Sequence, residues 1–198
     1  MSPAEWTESW LDLPWLVQNL STIGGYLLQH IELTVLAVVI GFVISIPAGF
    51  VAWRIPPLRG LLLGVAGVLY TIPSLALFAL LVPFTGLTAL TAEIGLVAYT
   101  LLALMRNVVV GLDGVSPAVR VAAIGMGYRP AALFLRVDLP LALPVVIAGV
   151  RIATVTTIGL VTVTALIGEG GLGQMLLLGL NGEFKTEIWL AGVLCVVL

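Results

Sequence analysis

Charge is scarce in this chain. Asp, Glu, Lys and Arg make up 9% of its 198 residues, against about 25% in a typical soluble domain, while hydrophobic residues reach 61%. That balance excludes a soluble globular protein and points to an integral membrane protein built as one domain over residues 1–198. Cysteine occurs once, at Cys195 inside an apolar run, so there is no disulfide framework and thiols say nothing of compartment. Missing too is a Gly-x-x-x-x-Gly-Lys-Ser/Thr phosphate loop, along with the polar mass on which a nucleotide-binding fold could stand. No enzymatic activity, bound cofactor, metal site or nucleic-acid partner is expected of the chain itself. A basic start is also absent: Glu5, Glu8 and Asp12 precede any Lys or Arg, unlike the opening of a signal peptide.

Long apolar runs are what the sequence has instead. They predict spans over residues 31–53, 60–83, 92–112 and 141–167, each near or above the roughly 20 residues a helix needs to cross. Glu93 opens the third and Arg106-Asn107 interrupt its far end, so that end is expected to pass beyond the hydrocarbon. A fifth span begins near Glu187, but residues 188–198 supply only eleven positions, and the native chain is expected to continue past Leu198. The expectation is therefore an all-α membrane protein of about five transmembrane helices. Orientation follows from basic residues, which cytoplasmic loops retain. Arg54 and Arg59 flank the first connection, Arg106, Arg120, Arg129 and Arg136 fall in the third, and residues 169–187 carry only Lys185. The arginine-bearing loops are then inside and the N-terminus outside. Within residues 1–24, Trp6, Trp10 and Trp15 suggest a short helix lying at the outer interface, where indoles anchor.

The third connection, about 28 residues long, exceeds a simple helical hairpin and carries its own helix signals. Ser116 as N-cap and Pro117 at the first helical position start a helix, and Gly127 stops it. The body, Ala118-Val-Arg-Val-Ala-Ala-Ile-Gly-Met126, is small and apolar, so it calls for a partner groove or, failing that, the lipid headgroups. A second short helix over residues 130–136 is expected to end before Leu139-Pro140, where proline resets the chain into the fourth span.

Ala122-Ala123, then Gly127, then Val137-x-Leu139-Pro140 reproduces the spacing of the coupling loop of ABC importer permeases. There, Glu-Ala-Ala, three residues and Gly precede nine residues and Ile-x-Leu-Pro. Together with Tyr70-Thr-Ile-Pro-Ser74, Met105-Arg-Asn107, Leu139-Pro-Leu-Ala-Leu-Pro144 and Ile167-Gly-Glu-Gly-Gly-Leu-Gly173, the pattern resembles the permease subunit of osmoprotectant importers, the branch handling glycine betaine, carnitine and choline. The resemblance runs from about residue 25 to the end. It implies a type I ABC importer permease fold in the bacterial cytoplasmic (inner) membrane. Its implied partners are the lipid bilayer, a second permease copy or a homologous permease, ATP-binding subunits that hold ATP and Mg, and an extracellular or periplasmic solute-binding protein. Residues 115–140 become the cytoplasmic coupling loop, with Ser116, Pro117, Arg120, Val121, Ala122, Ala123, Gly127, Leu139 and Pro140 as its ATPase-coupling residues.

One position departs from the pattern: the family's glutamate falls on Val121. Docking is then expected to rest on burial of small apolar residues and on neighbours such as Arg120, or else this chain is the less coupled half of an asymmetric pair. Gly168-Glu-Gly-Gly-Leu-Gly173 formally matches a dinucleotide fingerprint but follows a membrane span rather than a strand. Its glycines instead let the backbone bend at the outer end of the fourth span, and the resemblance sets the loop near the outer gate.

Arg151 lies about 16 Å along a helix from Pro140. It is expected either to snorkel or pair with Asp113 or Asp138, or to stand on the transport path. Tyr70 and Tyr99 are the best-placed aromatic faces for a quaternary ammonium, and Thr71, Ser74, Thr100, Thr154, Thr157 and Thr162 could line a hydrated path unless they bond their own helices or a neighbouring span. With Arg151, Gly168, Gly170, Gly171 and Gly173, these are the path or gate candidates. His30 and Glu32 are expected at the outer mouth of the first span, in a polar contact or simply hydrated, and Gly41-x-x-x-Ser45-x-x-x-Gly49 offers a close helix-packing face. The competing readings are a permease for methionine or another small solute, an ion-coupled secondary transporter, and a passive channel. The second needs more intramembrane ionisable groups and repeated halves, and the third has no use for a long apolar loop.

Overall fold

The computed structural model describes residues 12–182 and 185–198, so Trp6 and Trp10 lie outside the described residues. Among these the chain is helical and no strand occurs. The order is α1 Leu13–Gln18, α2 Leu20–Arg54, α3 Pro56–Thr71, α4 Ser74–Thr85, α5 Ala89–Asp113, α6 Pro117–Gly125, α7 Pro130–Leu133, α8 Leu139–Val163, α9 Leu172–Gly182 and α10 Lys185–Val197. A π-helical turn, Phe134–Asp138, joins α7 to α8, and a 3₁₀ turn, Thr164–Ile167, ends α8. Three continuous helical stretches are long and apolar enough to cross a membrane: Leu20–Arg54, Ala89–Asp113 and Pro130–Ile167. A fourth crossing results if the bent pair α3–α4 is taken as one span. The position expected for a fifth is held by α10, whose 13 residues fall short of the roughly 20 required.

Helix limits and lipid limits differ. The first span is expected from residue 31, yet α2 begins at Leu20 and runs for 35 residues, about 52 Å at 1.5 Å per residue. Its early turns gain burial within the protein at Ile23 and His30, which hydropathy does not register. The second span is expected to be continuous over residues 60–83, but it breaks at Ile72-Pro73. Proline has no N–H to give and holds the preceding residue extended; Ile72 accordingly adopts φ −65° and ψ 127°. The Tyr99 hydroxyl donates to the Ile72 carbonyl that the break leaves without a helical partner.

Pro140 does the reverse of what its sequence position suggests. Instead of ending one helix and starting another, it lies inside the continuous stretch Pro130–Ile167. The π turn before it explains why: the Leu139 N–H bonds the Phe134 carbonyl, five residues back, and the widened turn makes room for a ring that would clash in a regular α-helix. The connection expected over residues 169–187 also differs, since α9 occupies most of it.

By contacts the chain forms two compact units, each assembled from separated stretches. One comprises Ala37–Pro73 and Val97–Val155. Its core is Val108, Leu112, Ala142 and Val146, packed against Ile46, Phe50, Trp53 and Phe134. Here α2 meets α5 through its small residues. A Cβ on Gly41 would collide with the Thr100 hydroxyl, and one on Gly49 would lie 2.8 Å from the Val108 Cβ, so these backbones approach as small-residue faces allow.

The other unit comprises the described residues of Met1–Leu36, with Ser74–Leu96 and Thr156–Leu198. Ile23, Met175 and Ala191 form its apolar centre, with Trp15, Leu16, Leu190 and Leu194 against them. The Asp12 carboxylate caps α1 by accepting from the Trp15 N–H at 3.0 Å, and the Asp12 N–H donates to Thr186 Oγ1 at 3.0 Å. Trp15 is half-buried and packs against this centre from α1, a short helix within residues 1–24.

Candidate functional site

Helix α6 starts and stops where the sequence signals lie, though by partly different chemistry. Ser116 occupies the N-cap position without a side-chain bond; its carbonyl accepts from the Val119 and Arg120 N–H groups at 3.1 and 3.3 Å. Pro117 removes one donor that would otherwise need a cap. At the other end Gly127 takes φ +85°, the left-handed conformation that closes a helix. The Gly127 N–H donates to Ile124 at 2.9 Å and the Tyr128 N–H to Ala123 at 3.2 Å, the paired bonds of a Schellman end.

The two sides of α6 are chemically distinct. Ala123 is its one buried residue. Outward stand Val121, Ile124 and Met126 at 69, 59 and 71% exposure, with Ser116, Pro117 and Ala122 also exposed. These apolar side chains are uncovered where the helix is short and its loop is rich in arginine. Leu139 is half-buried and Pro140 exposed.

Arg120 corrects an expectation. Rather than facing outward beside Val121, it turns into the protein: Nε donates to Asp138 Oδ1 at 2.7 Å and Nη2 to the Leu112 carbonyl at 2.7 Å. Its guanidinium also stands 5.3 Å from the centre of the Trp53 ring. Asp138 is 3% exposed whereas the Arg120 side chain keeps 26% exposure, so removing Arg120 would strand a buried carboxylate. Asp138 and Trp53 meet Arg120 here, a partnership that sequence spacing does not single out. The available signal is Asp138's position directly before Leu139-Pro140: a carboxylate at the mouth of a span needs a partner.

Arg151 takes neither partner considered for it. Asp113 pairs with Arg59 at 2.9 Å and Asp138 with Arg120, while Arg151 is exposed on α8. Among the remaining path candidates, Tyr70 and Tyr99 do meet, edge to face with ring centres 5.9 Å apart; Tyr70 is 45% exposed and Tyr99 buried. Thr71, Thr100 and Thr154 spend their hydroxyls on the carbonyls of Val68, Val97 and Val150 in their own helices. Thr157 is buried without a bonding partner among the described residues, and Ser74 is half-buried at the start of α4.

The glycine-rich loop is a tight fold-back. Gly168 and Gly171 have φ of +86° and +51°. A Cβ on Gly171 would lie 2.7 Å from the His30 backbone nitrogen, while Gly170 and Gly173 press directly on the backbones of Ala165 and Thr162. His30 is fully buried and its Nε2 bonds the Ile158 carbonyl at 3.1 Å, so it supports this loop instead of greeting solvent. Glu169, beside it, accepts from Gln29 at 2.9 Å.

Comparison with known proteins supplies context for these features. The family described as the binding-protein-dependent transport system inner membrane component matches residues 37–198. A choline transport system permease protein of Bacillus subtilis is 35% identical over 187 residues, 92% of this chain and 86% of that protein. A carnitine transport permease protein of Listeria monocytogenes is 35% identical over 170 residues, 86% of this chain and 78% of its own length. Among solved structures, the MetNI methionine ABC transporter in an inward-facing form matches with a TM-score of 0.78 and 24% identity, over 100% of this chain and 92% of that one. At such identity the likeness concerns the fold.

Proposed function

This chain belongs to the binding-protein-dependent transport system inner membrane components, a family of multi-pass membrane permeases, and on that premise we propose that it forms half of the translocation path of an ATP-driven osmoprotectant importer. The observation that carries the reading is the outward apolar face of α6, formed by Val121, Ile124 and Met126. Water is a poor environment for it, and burial of about 25 cal/mol per Å² rewards a protein groove. The occupant is a separate ATP-binding subunit, which holds ATP and Mg and performs the hydrolysis.

By the arginine rule the α6 loop is cytoplasmic and the N-terminus outside. A second permease, identical or homologous, completes the path. Arg151, an exposed guanidinium within an apolar helix, is assigned to its hydrated wall, because facing hydrocarbon there is costly. The relatives' cargoes, choline and carnitine, support a quaternary-ammonium solute. With Tyr70 and Tyr99 the aromatic pair among the nominated path residues, high-affinity capture belongs to an external binding protein. Copurification with the ATP-binding subunit tests the docking face: Ile124→Asp is expected to reduce recovery of that subunit at least tenfold, and undiminished recovery rejects the reading.

A further inference from the structure

Ala123 gives α6 little to hold on to. A helix anchored by one buried alanine cannot transmit force through packing, since a lever must be stiff to move what it is attached to. Arg120 supplies the attachment. From α6 its guanidinium reaches the last turn of α5 at the Leu112 carbonyl, the end of α2 at Trp53, and the π turn leading into α8 at Asp138. All these groups belong to one compact unit. The Leu112 carbonyl, in the last turn of α5, accepts from Arg120 at 2.7 Å and from the Val115 N–H at 3.4 Å. Asp138 itself is 3% exposed. Beside the latch a cavity of about 690 Å³ opens between the end of α2 and residues 130–138, so the helix is not wedged in place by close packing on that side.

We propose that Arg120 and Asp138 are positioning residues for energy coupling: the pair makes α6 and the parts of α2, α5 and α8 that lie in this unit move together, while the outward face of α6 makes the contact with the ATPase. This rests on the proposed docking reading but is separable from it. Arg120 and Asp138 face away from the docking surface, so their loss should leave the ATPase bound and turning over while disconnecting it from transport. Lysine cannot replace arginine here, because a single ammonium lacks the fork that serves Asp138 and Leu112 together.

The test uses the full importer in proteoliposomes with its binding protein, comparing wild type, Asp138→Asn, Arg120→Lys and the exchange Arg120→Asp with Asp138→Arg. Three quantities are read: ATPase subunit retained, ATP turnover, and solute transported per ATP. Asp138→Asn and Arg120→Lys are expected to keep the subunit and its turnover but lower solute per ATP at least tenfold, with partial recovery in the exchange variant. Unchanged solute per ATP in both single variants overturns the proposal. So does failure of all three variants to assemble, which would put the pair in folding and not in coupling. Failure of the docking reading has a different signature, namely an ATPase subunit retained undiminished in Ile124→Asp.

Discussion

Gly171 shows how much one missing methyl group can decide. Its φ of +51° and its approach to His30 each exclude a side chain, the first by intrinsic strain of about 1–2 kcal/mol and the second by collision with a backbone that cannot swing away. Gly171→Ala is expected to lower stability by at least about 2 kcal/mol, seen as a lower midpoint of thermal unfolding in detergent. The control is Gly64→Ala in α3, where a Cβ meets nothing within 4 Å and helix propensity favours alanine by about 1 kcal/mol. Equal behaviour of the two variants would contradict the packing described for the loop. At this scale the sequence is legible in chemistry but not in direction. Gly127 announces a helix end and provides one, because only the backbone is involved. Arg120 announces a surface contact and provides an internal one, because its partner Asp138 is eighteen residues away in sequence and no local pattern joins them.

Among the elements, the ones read correctly are those that lipid alone dictates. Runs of apolar residues located α2, α5 and α8, since in hydrocarbon a backbone must satisfy its own hydrogen bonds. What such runs cannot carry is a break or a continuation within them. Pro73 and Pro140 look alike in sequence, yet the first severs its helix and the second does not. The difference lies in tertiary and local compensation: the hydroxyl of Tyr99 receives the orphaned Ile72 carbonyl, and the π turn at Phe134–Asp138 absorbs Pro140. The helix α9 is hard to read from sequence because its glycine-rich approach masks the short pattern behind it. Close packing of α2 on α5, by contrast, is visible as Gly41-x-x-x-Ser45-x-x-x-Gly49. Gly41→Val is expected to force those helices apart at Thr100, costing about 1–3 kcal/mol by overpacking, again read as a fall in the thermal midpoint. An unchanged midpoint would mean that the contact is not tight.

For the whole molecule, the arrangement divides labour between places. The spans carry few charged groups, the glycine loop closes tightly on His30, and α6 exposes an apolar face in an arginine-bearing loop. On the proposed reading, the α6 face is the point where energy enters a chain poor in charge. Family membership agrees with this division, and the spacing of Ala122, Ala123, Gly127 and Pro140 is its mark in the sequence. The most direct measurement is uptake of labelled choline by proteoliposomes holding the importer with its binding protein, with ATP supplied on the α6 side and ion gradients collapsed. Uptake is expected to require ATP and to be lost when Ile124 is changed to Asp. Uptake that persists without ATP, or that follows an imposed ion gradient instead, would contradict this expectation.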